Sequence, residues 1–185
     1  MAATKHAQQI KQDSQEYLTT ALLQLLETKD LAEITIAQVV RRAGVSRMAF
    51  YRNFETLADV LTAYFKPQID ARFNDIMTNT PQKEKIAALG QFFTDMTDTF
   101  NLAVKRGFEP IIQTVFNENM AIFYKETINW NDISVAQQTY WVKFMSAGVY
   151  AIWREWLSNG QKESIETIHE ILAKFQQSTL AALKE

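Results

Sequence analysis

The chain has 185 residues, of which 47% are hydrophobic, with a formal net charge of −2. Five glycines and three prolines leave few turn points, so long helices around a real core are expected. With no cysteine it has no disulfide frame, thiolate nucleophile or cysteine metal site, and no apolar run reaches membrane-spanning length.

The N-terminal stretch MAATKHAQQIKQDSQ is polar and lacks the apolar centre of a signal peptide, so a cytoplasmic protein is expected. Gln15 to Thr28 is amphipathic, with Leu18, Leu22, Leu25 and Leu26 on one side, and is expected to form the first helix. Leu31 and Ile34 fill the gap before the next element.

The segment from Thr35 to Phe54, TIAQVVRRAGVSRMAFYRNF, carries the most information. It contains four arginines (Arg41, Arg42, Arg47, Arg52) and no acidic residue, on a chain that is acidic as a whole. Thr35 is suited to cap a helix whose inward stripe is Ile36, Val39, Val40 and Ala43. Gly44 allows the left-handed turn that ends it, and Val45 is placed to plug the core. Ser46 caps a second helix that starts at Arg47. This helix turns Phe50 and Phe54 inward and Arg47, Met48, Tyr51 and Arg52 outward. Two short helices, a tight turn and local positive charge point to a helix-turn-helix that meets DNA.

The side chains suggest roles. Arg47 can hold a guanine edge with two hydrogen bonds, worth about 1–3 kcal/mol of discrimination. Tyr51 can bond a phosphate through its hydroxyl, and Arg52, Asn53 and Thr35 are phosphate candidates. Ser46 and Ala49 are short enough to let the backbone approach the groove. With Arg42 and Met48 these complete the expected DNA-binding set: Thr35, Arg42, Ser46, Arg47, Met48, Ala49, Tyr51, Arg52 and Asn53.

Thr56 caps the next helix, which presents Leu57, Val60, Leu61, Tyr64 and Phe65. Pro67 lacks an amide hydrogen and is expected to break or kink this helix near Lys66. Asn79-Thr80-Pro81 is a linker. A helix is then expected from Gln82 to Arg106, ended by Gly107, and another from about Glu109 to Ile128. Asn129 to Asp132 is a turn. Ser134 caps a long helix through Leu157, and a last helix runs from about Glu163 to Leu183.

Between Gln82 and Trp130 lie six phenylalanines. An apolar or amphipathic ligand is one reading of this cluster and a plain core is the other. The ligand reading names Phe92, Phe93, Met96, Phe100, Phe116, Met120 and Phe123. The apolar face of the long helix is wide, and Ile165, Ile168, Leu172, Phe175, Thr179 and Ala182 form a seam on the last. More apolar face than one domain needs suggests an intermolecular four-helix bundle. Its expected interface is Trp141, Met145, Gly148, Ile152, Trp156, Ile168, Leu172 and Phe175.

Catalytic chemistry is not suggested. No phosphate-cradling glycine loop or serine elbow occurs. The two histidines, His6 and His169, offer no metal-ligand spacing, and His169 reads as a surface or interface residue. Asp95 and Asp98 read as a solvated helix face. No metal and no cofactor are expected.

Ile36-Ala37, Ala43-Gly44-Val45-Ser46 and Phe50-Tyr51-Arg52-Asn53-Phe54, followed by an amphipathic helix, resemble the TetR family of transcriptional regulators. The chain departs from the family pattern at Lys29-Asp30-Leu31, where a glycine is usual, and at Leu57, where a phosphate-binding lysine is usual. The resemblance implies an all-α fold: a three-helix helix-turn-helix DNA-binding domain over residues 1–65 and a helical dimerisation and ligand-binding domain over 66–185. It also implies a homodimer on a palindromic operator of double-stranded DNA, with half-sites about 34–36 Å apart. Most members are repressors released by a small molecule. The stretch YAIWREWLSNGQKES resembles regulators of low-GC Gram-positive bacteria, including the activator subgroup of dihydroxyacetone kinase regulators. An activator, a protein-controlled regulator and a DNA-associated structural or cell-division factor therefore stay open as alternatives.

Overall fold

In the computed structural model, Thr35, Ser46, Ser134 and Ser164 each cap the start of a helix by accepting a bond from a free backbone amide. The structure describes residues 2–184, and the side chain of His6 lies outside the described part. In chain order the helices are α1 (Ala2–Leu26), α2 (Ile36–Ala43), α3 (Arg47–Tyr51), α4 (Leu57–Asn79), α5 (Lys85–Asp95), α6 (Thr97–Arg106), α7 (Glu109–Thr127), α8 (Val135–Ser158) and α9 (Ile165–Ala181). Short 3-10 turns cover Leu31–Glu33 and Gln82–Glu84, and no strand occurs among the described residues. The fold is all-α.

The chain forms two compact units. The first takes Met1–Pro67 together with Leu102–Ile112. Its core is Leu18, Leu22 and Leu26 from α1, Val39 and Val40 from α2, Phe50 from α3, and Val60, Leu61 and Phe65 from α4. Phe108 stacks on Phe65 at 5.8 Å. Arg106 clamps the loop after α1: its guanidinium donates to Asp30 Oδ1 at 3.2 Å and to the Glu27 carbonyl at 2.7 Å. The sequence reading did not find this clamp, because an arginine at a helix end carries no signal of its distant partner.

The second unit takes Gln68–Asn101 and Gln113–Glu185. Its centre is aromatic. Phe93 contacts Phe100 (5.1 Å), Phe116 (5.0 Å) and Trp153 (5.5 Å), and Phe73, Phe92 and Tyr150 join the same cluster. Gly90 permits the close approach of α9 here. A Cβ at position 90 would lie 2.6 Å from the Trp153 ring and collide with His169.

Four expectations need correction. α1 starts near Ala2 rather than Gln15. Its polar first half has no apolar stripe to reveal it; side-chain bonds such as Gln9 to Asp13 (2.7 Å) accompany it instead. Pro67 does not break α4, which runs through it. Phe65, Ile69, Phe73 and Ile76 are buried on both sides of the proline, and that packing outweighs one lost backbone bond. The single helix expected from Gln82 to Arg106 is two, because Met96 leaves helical geometry (ψ 11°) and the Thr97 hydroxyl bonds the Thr94 carbonyl at 2.8 Å. His169, expected at the surface or an interface, is half-buried: its ring packs on Trp153 at 5.4 Å and its Nε2 is buried without a partner.

Burial lowers the His169 pKa below 6.5, and Glu166 one turn away opposes this only in part. The unfolded chain therefore takes up the proton more readily than the folded one. The stability that neutral His169 contributes is present above pH 6.5 and is lost as the pH falls below it, towards the folded-state pKa. Denaturant unfolding of wild type and His169→Gln at pH 7.5 and 5.5 checks this. Wild type is expected to lose more stability on acidification than the variant; equal losses would rule it out.

Candidate nucleic-acid interface

The helix-turn-helix is assembled from local bonds that the sequence announces. Thr35 Oγ1 accepts from the Gln38 amide at 3.3 Å, and Gln38 Oε1 accepts from the Thr35 amide at 2.9 Å, a reciprocal cap on α2. Gly44 ends α2 with φ 68° and ψ 24°, and the next amide, of Val45, reaches back to the Val40 carbonyl at 3.1 Å. This left-handed turn is costly for any residue with a Cβ. Ser46 Oγ then accepts from the Ala49 amide at 3.0 Å and starts α3.

α3 has only five residues, and its orientation is set by burial. Phe50 is 0% exposed and packs 6.0 Å from Phe54, while Tyr51 stands edge-on to Phe50 at 5.5 Å. Burying Phe50 leaves the opposite side of α3 outward. Met48 is 71% exposed and Tyr51 53%, large apolar groups that a self-contained fold would cover. Arg47 and Arg52 are exposed beside them. The resulting tip is basic and partly apolar, a surface chemistry suited to a DNA groove.

Of the nine expected DNA-binding residues, six differ little from expectation in placement. Arg47, Met48, Tyr51 and Arg52 share the outward side of α3, and Ser46 and Ala49 lie at its start and middle. Thr35 is exposed at the start of α2 with its hydroxyl engaged in the cap. Arg42 is exposed and its Nε donates to Gln24 at 2.8 Å, so α1 holds it in place. Asn53 turns inward: its Nδ2 donates to the Ala49 carbonyl at 2.7 Å and its Oδ1 is buried. Asn53 therefore closes the C-terminal end of α3, and its side chain is not presented to phosphate.

Behind the tip, Thr56 and Asp59 lock the start of α4. Asp59 Oδ2 accepts from the Thr56 amide at 2.8 Å and from the Glu55 amide at 3.1 Å, and these bonds hold its carboxyl below the ordinary range.

Residues 18–64 match the family model described as bacterial regulatory proteins, tetR family. Those residues are a TetR-family DNA-binding domain. The matched stretch holds all nine expected contact residues and the core that orients them. That description is of bacterial regulatory proteins, and the match is confined to the helix-turn-helix end of the chain. Among solved structures it is similar to the dihydroxyacetone kinase operon activator DhaS: 15% identity, TM-score 0.49, 92% of this chain and 96% of that one. It is also similar to NalD, the secondary repressor of the MexAB-OprM multidrug efflux pump in Pseudomonas aeruginosa: 13% identity, TM-score 0.49, 91% and 97% covered. No curated protein matches the sequence.

The second unit places the other expected residues differently. Phe92, Phe93, Phe100, Phe116, Met120 and Phe123 are each at most 4% exposed and fill one another's space, and Met96 sits at the α5–α6 break. They form the core rather than the wall of a cavity. A groove of about 620 Å3 lies instead between α7 and α8, bordered by Asn117, Ala121, Lys125, Trp130, Lys143 and Ser146. None of the seven expected ligand residues lines it.

Five of the eight expected interface residues are also turned into the chain's own core: Trp141, Met145, Trp156, Ile168 and Leu172. Trp141 and Trp156 are held there by indole bonds, to Thr179 at 3.0 Å and to the Glu163 carbonyl at 2.9 Å. Phe175 stays exposed, and Gly148 and Ile152 are half-buried. The uncovered side of α8 is instead Tyr140 (74% exposed) and Phe144 (64%), one turn apart. Both were visible in the wide apolar face of this helix, but periodicity alone does not tell which part of a wide face turns inward. Among the described residues no helix is long and apolar enough to cross a membrane, and no acidic or histidine cluster is placed to hold a metal ion.

The Ser46 cap predicts a local cost. Ser46→Ala is expected to lower unfolding stability by about 1 kcal/mol, the usual value of a lost N-cap. Arg47→Ala, which removes an exposed side chain, is expected to leave it within about 0.5 kcal/mol. Thermal or denaturant unfolding of the two variants gives the comparison, and equal effects would mean that the cap does not hold α3.

Proposed function

We propose that the protein is a sequence-specific transcriptional regulator that binds a palindromic operator as a homodimer and is controlled by a small apolar or amphipathic effector, most simply as a repressor. The observation that carries the reading is the outward side of α3, where Arg47, Met48, Tyr51 and Arg52 stand exposed on a helix fixed by Phe50 and the Ser46 cap. Arg47 reads a base edge, Tyr51 and Arg52 bond phosphates, and Arg42, steadied by Gln24, adds a flanking phosphate contact. Thr35 and the free amides at the start of α2 add another. Residues 1–65 serve as the reading head and 66–185 as the dimerising and effector-responsive part.

Dimerisation is supported by Tyr140 and Phe144 on α8 and Phe175 on α9, aromatic side chains left uncovered by their own chain. Exposed aromatics grouped on adjacent helices are the usual material of an interface. Control follows if the effector favours a dimer whose two heads no longer match the half-site spacing.

Selection from a random duplex library, run on wild type and Tyr51→Ala at one stated salt concentration, tests the reading. Wild type is expected to enrich an inverted repeat and the variant to lose it. No enrichment, or the same enrichment in both, would sink it. A reporter fused to the promoter so identified then gives the sign: deletion of the gene raises expression under a repressor and lowers it under an activator.

The interface has its own test. Phe144→Glu places a charge in the centre of the exposed aromatic side and is expected to weaken self-association by about thirtyfold or more. Sedimentation equilibrium across a dilution series measures this; an unchanged dimer would move the interface elsewhere.

A further inference from the structure

The groove between α7 and α8 has a chemistry that the core phenylalanines lack. Its volume of about 620 Å3 lies in the range of small-molecule sites. Ser146, on α8, is only 3% exposed, yet its Oγ has no hydrogen-bond partner. Oδ1 of Asn117, on α7, is likewise buried and unpartnered. Both residues line the groove. Native proteins seldom leave buried polar atoms unmatched, so two on one groove mark a place where a ligand group completes the bonding.

The rest of the lining says what kind of ligand. Asn117, Ala121 and Lys125 recur every fourth residue on one side of α7, with Lys143 and Ser146 facing from α8. Lys125 and Lys143 bring two ammonium groups to the groove against the one carboxylate of Glu118. Trp130, Ala121 and Val142 supply apolar surface, and Trp130 is steadied by Trp141 at 5.5 Å. From Asn117 to Lys125 the helix rises about 12 Å, the length of a two-ring molecule.

We propose that this groove binds a small organic acid with a single negative charge, a flat apolar body and a hydroxyl at the end remote from the acid. The carboxylate pairs with Lys125 and Lys143. The flat body lies against Trp130, Ala121 and Val142. The hydroxyl lies between Asn117 Oδ1 and Ser146 Oγ, donating to the first and accepting from the second. This names the ligand class for the effector-controlled regulator proposed above, and rests on that reading for its regulatory consequence.

The test uses the full chain and three probes: 6-hydroxy-2-naphthoate, 2-naphthoate without the hydroxyl, and 2-naphthol without the acid. Titration calorimetry on wild type is expected to rank the hydroxy acid first, with each incomplete probe weaker by about fivefold or more. Lys125→Gln with Lys143→Gln is expected to weaken the hydroxy acid by about tenfold or more and leave 2-naphthol unchanged. Ser146→Ala is expected to erase the preference for the hydroxy acid over 2-naphthoate. Both lysines are exposed, so helical circular dichroism is expected to be the same in the lysine variant as in wild type.

Equal affinity for the three probes, no binding of the acids, or binding indifferent to the two lysines would overturn the proposal. Dissociation of the lysine variant into monomers, with no acid bound by wild type, would give the groove to a second copy of the chain and overturn it as well. The duplex selection is run without any probe. Its success alongside failed probe binding removes only this inference, whereas its failure removes the regulator reading.

Discussion

Burial of Phe50 is the constraint on which the outward side of the helix-turn-helix depends. A helix of five residues is far below the length at which backbone bonds alone sustain helical structure. α3 persists because Phe50 is fully enclosed, Phe54 lies beside it and both ends of the turn are tied, by Ser46 at the start and Asn53 at the finish. Every outward direction on the helix follows from that inward one. The core beneath α3 aims Arg47, while Arg52 is also tied by its Nε to the Met48 carbonyl at 3.4 Å and Arg42 to Gln24 at 2.8 Å.

A different logic governs the second unit, where aromatic rings pack on aromatic rings around Phe93. Such a cluster buries much apolar area in directional, edge-to-face and stacked contacts. Its rings are buried against one another, and none of them lines the polar-edged groove between α7 and α8. Gly90 is part of the same economy: the absence of one methyl group lets α9 bring His169 against Trp153.

The helix-turn-helix was legible in the sequence because its signals are local. Thr35, Gly44, Ser46 and Thr56 act on backbone groups within four residues, so their positions alone set the ends of α2, α3 and α4. The alternation of Phe50 and Phe54 against Arg47 and Tyr51 likewise says which side faces in. Asn53 escaped because an exposed-looking amide beside three cationic or aromatic residues gives no sign that its bond turns inward. Pro67 misled in the other direction, since its local cost is clear and the packing of Ile69 and Phe73 that offsets it is not local. The same limit applied to α8 and α9. The stripes were visible, but Trp141, Trp156 and Leu172 could serve either their own core or a second chain, and only the indole bonds and neighbours decide. The groove was invisible because it depends on α7 and α8 lying side by side, with Asn117 and Ser146 far apart in sequence.

The absence of cysteine, noted first for what it excludes, also has a practical side. Any thiol introduced by substitution is chemically unique in the chain, with no native sulfhydryl to compete for a reagent or scramble a disulfide. A single labelled site at position 48, where the native methionine is largely open to solvent, reports from α3 alone. The protein is in this sense blank to thiol-directed reagents, and a label placed on it carries one address.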